Sequence, residues 1–185
     1  MVSNIALKEW SAVVEALAAG RQLLLLRKGG IRDPKGAFEL EHREFLLYPT
    51  WEHQDPKHLQ PQYRKLIRPE PAPSAPVEFR VYAGVALTHE IRDPAVLESL
   101  EAYHIWTPQF IAQRMSYRPQ APTLLAVVRT YRLKKPVSRP VREEYAGCKS
   151  WVPLDEPVDL EGAEPVADNR AFRVALEKIA GTVLD

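Results

Sequence analysis

One cysteine, Cys148, is all the thiol the chain carries, so an intrachain disulfide framework is excluded and a reducing, cytoplasmic setting is the expectation. A lone thiol of this kind is more often a small buried hydrophobe than a nucleophile. No apolar run approaches the ~20 residues a spanning helix needs, and the start of the chain lacks the basic-then-apolar pattern of a secretion signal. No membrane partner is expected. Charge of neither sign is in excess: 25 basic and 24 acidic residues leave a net +1, which argues against gripping a polyanion by bulk electrostatics while leaving a local basic patch open. Glycine is scarce beside proline, 8 against 17, so the loops should be stiff, a composition compatible with heat tolerance. Also missing are H-E-x-x-H, paired cysteines at zinc spacing, a glycine-rich phosphate loop and a G-x-S-x-G elbow. No cofactor and no metal ligand set is therefore assigned.

What the chain does have is enough apolar material for a core, 45% of 185 residues. One domain over 1–185 is the first expectation; the alternative is a subdomain boundary at Pro69–Pro76, PEPAPSAP, which should run extended in polyproline geometry. Trp10, Val13, Val14 and Leu17 have helical spacing, so residues 4–19 read as an amphipathic helix with Ser3 or Asn4 as cap and Gly20 as stop. The next expectation is a hairpin: Gln22–Lys28, a turn at Asp33-Pro34-Lys35-Gly36, then Phe38–Tyr48 ending at Pro49. The run Leu23–Leu26 puts apolar groups on both faces, as in a central covered strand. Asp55-Pro56 opens a short or broken helix, with Pro61 interrupting it before about Ile67. Val77–Leu87 alternates as a half-buried strand, and Asp93-Pro94 and Thr107-Pro108 open further helices. Trp106, just before the second of these, has the spacing to staple onto Ile111. Leu124–Lys134 is a second strong strand and Tyr145–Leu154 a short one. A last helix, capped by Asp168 or Asn169, carries the stripe Phe172, Leu176, Ile179, Val183. The class is α+β, with a mixed, mostly antiparallel sheet or a small PUA-like barrel flanked by helices.

Candidate site residues cluster in two places. In FELEHREFLLYPTWEHQ, alternation sets His42, Glu44 and Tyr48 on one face, with Leu46, and Arg43, Phe45 and Leu47 on the other. After Pro49, Trp51, Glu52, His53 and Gln54 stand in a loop where polar groups can stay accessible. The plain reading of His42 and His53 as ordinary satisfied histidines, with Trp51 covering the hairpin, competes with a site. The second place is the most basic stretch, Arg129–Lys149, with seven bases and two acids. There Arg129 shares a face with Leu125, Val127, Tyr131 and Leu133. A buried guanidinium needs a partner, so it is half of an ion pair, the commoner case, or an anion-recognition group. Lys149 and Trp151 share a face if their segment is extended. Residues 150–168 hold six acids and no base, either masking that patch or forming a solvated linker. Arg114, Tyr117 and Arg118 are candidates for phosphate contacts if exposed.

Three segments, ALAAGRQLLLLRKGGI, EHREFLLYPTWEHQ and LAVVRTYRL with YAGCKSWVPL, together resemble a bacterial family of unknown function over nearly the whole chain. Some of its relatives are associated with Mrr-type restriction endonuclease domains, which implies a place beside restriction-modification systems and a restriction endonuclease as partner. It implies no catalytic residues. At fold level, a helix followed by Gly20-Arg21-Gln22-Leu23-Leu24-Leu25-Leu26-Arg27 is similar to the G-x-K-x-x-E-x-R stretch of ASCH domains, relatives of the PUA and EVE folds. Gly20 and Arg27 match; Gln22 and Leu25 stand where that pattern has Lys and Glu, which removes its reactive groups. The resemblance implies a small domain that recognises RNA or modified DNA bases.

Three functions follow as expectations. The first is a nucleic-acid-binding module that takes a modified or extruded base: Tyr48, Trp51, Tyr131 and Trp151 supply aromatic surface, Glu52, His53 and Gln54 a base edge, and Arg27, Lys28, Arg129 and Lys149 the phosphates. The second is a metal-dependent hydrolase or nuclease built on His42, Glu44, Glu52 and His53. The third is an adaptor that contacts another protein.

Overall fold

Residue-by-residue alternation through Phe45-Leu46-Leu47-Tyr48 sends Phe45 and Leu47 into one core and Leu46 and Tyr48 into another, as expected of a strand buried on both faces. The computed structural model describes residues 1–28, 38–147 and 149–184. In it the strands are β1 (Val2–Trp10), β2 (Leu24–Arg27), β3 (Glu44–Thr50), β4 (Val77–Ile91), β5 (Thr123–Arg139), β6 (Trp151–Asp159) and β7 (Glu164–Pro165). The helices are α1 (Ser11–Ala18), α2 (Pro94–Ser99), α3 (Pro108–Ser116) and α4 (Asn169–Leu184). One sheet runs β2-β5-β4-β3-β1-β6, with β7 paired to β5. Only β1 and β3 are parallel among the described pairs; the rest are antiparallel. The class is thus α+β with a mixed, mostly antiparallel sheet. Its terminal strands β2 and β6 are not paired to each other among the described residues, so the sheet is open and not a closed barrel.

The larger core carries the helices: Val13 and Leu17 of α1, Leu97 of α2, Phe110 and Ile111 of α3, and Ile179 and Val183 of α4 pack with Leu7, Phe45 and Leu47. The last helix follows its expected stripe, Phe172, Ile179 and Val183 being buried and Leu176 half-buried; burying each is worth ~2 kcal/mol. Its cap is Asp168, whose Oδ1 accepts from the amides of Arg170 at 2.9 Å and Ala171 at 2.8 Å. Asp93 and Thr107 cap α2 and α3 as their Pro-led starts predict. The broken helix after Asp55 is two 3₁₀ turns, Pro56–His58 and Pro61–Leu66.

Five expectations are corrected. Residues 4–19 are not one helix: the chain is β1 to Trp10 and α1 only from Ser11. Segment 2–10 lies between β3 and β6, and pairing on both sides outweighs local helix propensity. Gly20, at φ +65°, does end the helix: the Gly20 amide donates to Leu17 O at 3.1 Å and the Arg21 amide to Ala16 O at 2.8 Å, the paired bonds of a glycine-terminated helix. The second correction concerns the hairpin. β2 pairs with β5, and β3 with β1 and β4, because the turn signal is local whereas the long strands β4 and β5 offer far more surface to pair against. The turn itself, residues 33–36, lies outside the described residues, as does Cys148. Third, Leu24–Leu26 are buried as expected, but on a strand at the end of the sheet rather than at its centre. Fourth, β3 starts at Glu44, leaving His42 before it, and runs through Pro49, which sits opposite Glu9 in the parallel pair. Fifth, the short strand at Tyr145–Leu154 starts only at Trp151, after a 3₁₀ turn at Glu143–Tyr145.

Candidate functional site

β1, β2 and β3 end on the same side of the molecule, and their last residues open into a cleft of about 570 Å³. Lys8, Glu9 and Trp10 come from β1, Leu26 and Arg27 from β2, and Tyr48 to His53 from the end of β3 and the loop after it. The proline-rich segment from Glu70 to Pro76 forms one wall, Trp106, Phe110 and Arg114 on and before α3 another, and Val141 with Tyr145–Gly147, Lys149 and Ser150 a third. Parallel pairing of β1 with β3 is what brings Trp10 beside Thr50 and Lys8 beside Tyr48 at one end of the sheet.

Rings dominate the walls. Trp10 lies 5.1 Å from Phe110 and stacks at 5.8 Å on His58, while Tyr48 meets Tyr145 edge-on at 6.3 Å. Burial, and next the neighbouring Tyr145, raise the Tyr48 hydroxyl above its usual value, so it stays protonated and able to donate. The Trp51 indole N–H is buried with no acceptor among the described residues. Such an unmet donor at a cleft wall is the kind of group a ligand acceptor would satisfy.

The cations differ in what already holds them. Lys8 Nζ donates to Gly147 O at 3.0 Å and sits 5.8 Å from the Tyr48 ring. Arg27 donates from Nη1 to Lys8 O at 3.1 Å and pairs with Glu9 Oε2 at 3.3 Å, its guanidinium 4.9 Å from the Phe38 ring. The other Glu9 oxygen accepts from the Trp10 amide at 2.9 Å. Lys149 Nζ donates to Glu144 O at 3.3 Å. Arg114, half-buried on α3, has no hydrogen-bond acceptor among the described residues. Burial, then the neighbouring Arg27 charge, hold its guanidinium below the usual arginine range, with Glu9 and Tyr117 acting the other way.

The candidate residues fall into two groups. Arg27, Tyr48, Trp51, Glu52, His53 and Lys149 all line the cleft. Lys28, Gln54, Arg129, Tyr131 and Trp151 are not among the residues that line it. Lys28 Nζ donates to Met115 O at the end of α3 at 2.6 Å. Gln54 caps α1 from across the chain, its Oε1 accepting from the Ala12 amide at 3.0 Å and Ser11 Oγ at 3.2 Å. Arg129 is not half of an ion pair among the described residues: it hydrogen-bonds Asn169 Oδ1 and lies 5.5 Å from the Tyr131 ring and 5.3 Å from that of Phe172. Trp151 packs with Phe38, Phe45 and His42. His42 is thus set against Trp151 while His53 faces the cleft, and the described residues contain no group of three or more His, Cys, Asp or Glu able to hold a metal.

Lys8, Trp10 and Tyr145 do not stand out in the sequence as site residues. Reading 4–19 as helix hides the first two; the period-two signal that would reveal them is Ile5 and Leu7 against Ala6 and Lys8. Arg114, a candidate if exposed, is half-buried yet lines the cleft.

Residues 6–178 match a family model described as Domain of unknown function (DUF1802). Among curated proteins there is no match. Among solved structures, ASCH from Zymomonas mobilis is similar at 13% identity over 94% of this chain and 93% of that one, with a TM-score of 0.45. No helix among the described residues is long and apolar enough to cross a membrane.

Proposed function

The chain belongs to the family of the domain of unknown function DUF1802, and we propose, from the cleft rather than from that description, that it is a nucleic-acid-binding module which takes an unstacked base between aromatic walls. One observation carries the reading: rings from β1, β3 and the 141–150 segment and cations from β1, β2, α3 and that same segment line a single cleft. Base stacking on aromatic side chains contributes ~1–3 kcal/mol per base and tolerates any sequence. Trp10, Tyr48 and Trp51 are the rings for it, with Glu52 and His53 exposed at the rim to meet a base edge. The net charge of +1 accords with modest, salt-sensitive affinity for the flanking phosphates.

The finer part of the proposal is that the base is modified or extruded and that the chain works beside a restriction endonuclease. Its volume of about 570 Å³ is that of a small-molecule pocket, which suits one base taken out of a strand better than a duplex laid across a surface. Fluorescence anisotropy with single-stranded oligonucleotides at 50 and 200 mM salt tests the reading. Binding that weakens with salt and is lost in Trp10→Ala is the expected result; no binding of any oligonucleotide at the lower salt ends the proposal. Oligonucleotides bearing methylated or hydroxymethylated cytosine separate modified-base reading from plain base capture.

A further inference from the structure

Among the described residues, the floor of the cleft holds more positive charge than its neighbours neutralise. Arg27 and Arg114 both line it, and Lys28 lies behind them. Among the described residues Glu9 is the one carboxylate paired to these cations, and both of its oxygens are engaged, one by Arg27 and one by the Trp10 amide. The other acids of the lining, Glu52 and Glu70, are exposed on outer segments, where water screens them.

A structural role for Arg114 as the cation that completes the C-terminus of α3 is already filled. Lys28 Nζ holds the Met115 carbonyl at 2.6 Å. Burial comes first, then the charges of Arg114 and Arg92, in lowering the proton affinity of that lysine, so the cluster works against itself in the absence of an anion. Among the described residues Arg27 hydrogen-bonds through Nη1 alone, which leaves the other edge of its planar fork without a described partner. Two guanidinium edges beside one cavity are a match for a group with several acceptor oxygens.

We infer that this floor is a site for a phosphate monoester, the terminal phosphate of a nucleotide, rather than for the phosphodiester of a continuous strand. The inference rests on the nucleic-acid reading and deepens it by naming the end of the chain as the part that enters. A monoester carries about −1.5 to −2 at pH 7 and three acceptor oxygens, whereas a diester carries one charge and leaves the second arginine uncompensated. With the phosphate on Arg114 and Arg27, the attached base lies among Trp10, Tyr48 and Trp51, so both halves of a nucleotide are used.

The test compares hexanucleotides with a 5′-phosphate, a 3′-phosphate or no terminal phosphate, with nucleoside monophosphates as competitors and inorganic phosphate as a separate probe. One phosphorylated set should bind about tenfold tighter than the unphosphorylated set, the scale of one charge-assisted hydrogen bond. That preference should vanish in Arg114→Met and return in part in Arg114→Lys. Inorganic phosphate should displace the phosphorylated oligonucleotide from the wild-type protein, a measurement that depends on no variant being folded. A nucleoside monophosphate that competes as well as the phosphorylated hexamer identifies a free nucleotide as the source; a much weaker one identifies a chain end. Both results support the site. Equal affinity for phosphorylated and unphosphorylated hexamers, or a preference that survives Arg114→Met, overturns it while leaving base capture standing. Failure of every oligonucleotide to bind defeats base capture itself, and direct calorimetric titration of the wild-type protein with inorganic phosphate then decides the anion site alone, no heat of binding overturning it.

Discussion

Two basic regions of this molecule have opposite fates. Along β5 and just beyond it the cations are dense, yet each arginine, Arg129, Arg132, Arg139 and Arg142, is already held. Arg132 donates to Ala18 O at 2.8 Å, Arg139 pairs with Glu156 at 3.5 Å and Arg142 with Asp155 at 2.6 Å, while Arg129 is fixed by Asn169 and Phe172. The acids that follow in sequence return on β6 to face them. At the cleft the cations are fewer and come from separate elements, and one of them, Arg114, lacks any acceptor among the described residues. Density of charge along a chain therefore measures supply, whereas recognition depends on what folding leaves over.

Replacing cations in each region is the way to break this contrast. Removing the cleft pair, Arg27→Met with Arg114→Met, should weaken oligonucleotide binding about 100-fold, since two charge-assisted bonds of ~1.5 kcal/mol are lost. Arg139→Met with Arg142→Met should change affinity less than about twofold, apart from the general salt effect. Anisotropy titrations of both variants in one buffer check it; similar losses would erase the distinction.

Gln54 sharpens the comparison within one loop, because Glu52 and His53 face the cleft while Gln54 holds α1. Gln54→Ala should cost about 1–2 kcal/mol of stability, the scale of a lost helix cap, and leave binding unchanged. Urea unfolding beside an anisotropy titration checks both halves. Arg129→Ala should destabilise by about 1 kcal/mol through the lost amide bond and ring contacts, again with no change in affinity.

A smaller effect is expected of pH. The ring of His104 is buried, with Nε2 donating to Leu97 O at 2.9 Å and Nδ1 accepting from the Trp106 amide at 3.2 Å. Only the neutral imidazole can do both. Burial lowers its pKa from the usual 6.5 in spite of the Leu97 bond. The unfolded chain therefore takes up the proton first as the pH falls, so this contribution is complete above about pH 6.5 and is lost as pH falls through the folded value. Melting temperature between pH 7.5 and 5 should fall less steeply in His104→Gln than in the wild type, once scaled to each variant's neutral value. Smallest of all, Arg142→Ala, removing an exposed pair, should shift stability by no more than about 0.5 kcal/mol, measurable only as a slight change in urea midpoint.

What could be read in advance follows from range. Caps at Asp93, Thr107 and Asp168 and the stripe on α4 are set by residues within a turn or two of one another, and they stand as expected. Strand alternation in β3, β4 and β5 is equally local. The identity of each strand's neighbour is not, and the expected hairpin fails because Asp33-Pro34-Lys35-Gly36 speaks only for itself. β1 is hidden in the sequence because Trp10 and Val13 keep helical spacing across a boundary that only β3 and β6 impose. At the cleft, the loop after Pro49 and Lys149 could be picked out by composition. Lys8 and Trp10 could not, because they become site residues only when the parallel register sets them beside Tyr48 and Thr50.

The wall from Glu70 to Pro76 has a further consequence. Three of its seven residues, Pro71, Pro73 and Pro76, have backbone torsion locked by their rings, so this side of the cleft has little freedom to surrender when a guest arrives. Association should then be governed by collision and orientation rather than by a slow shutting step. Stopped-flow traces would rise linearly with concentration instead of levelling off.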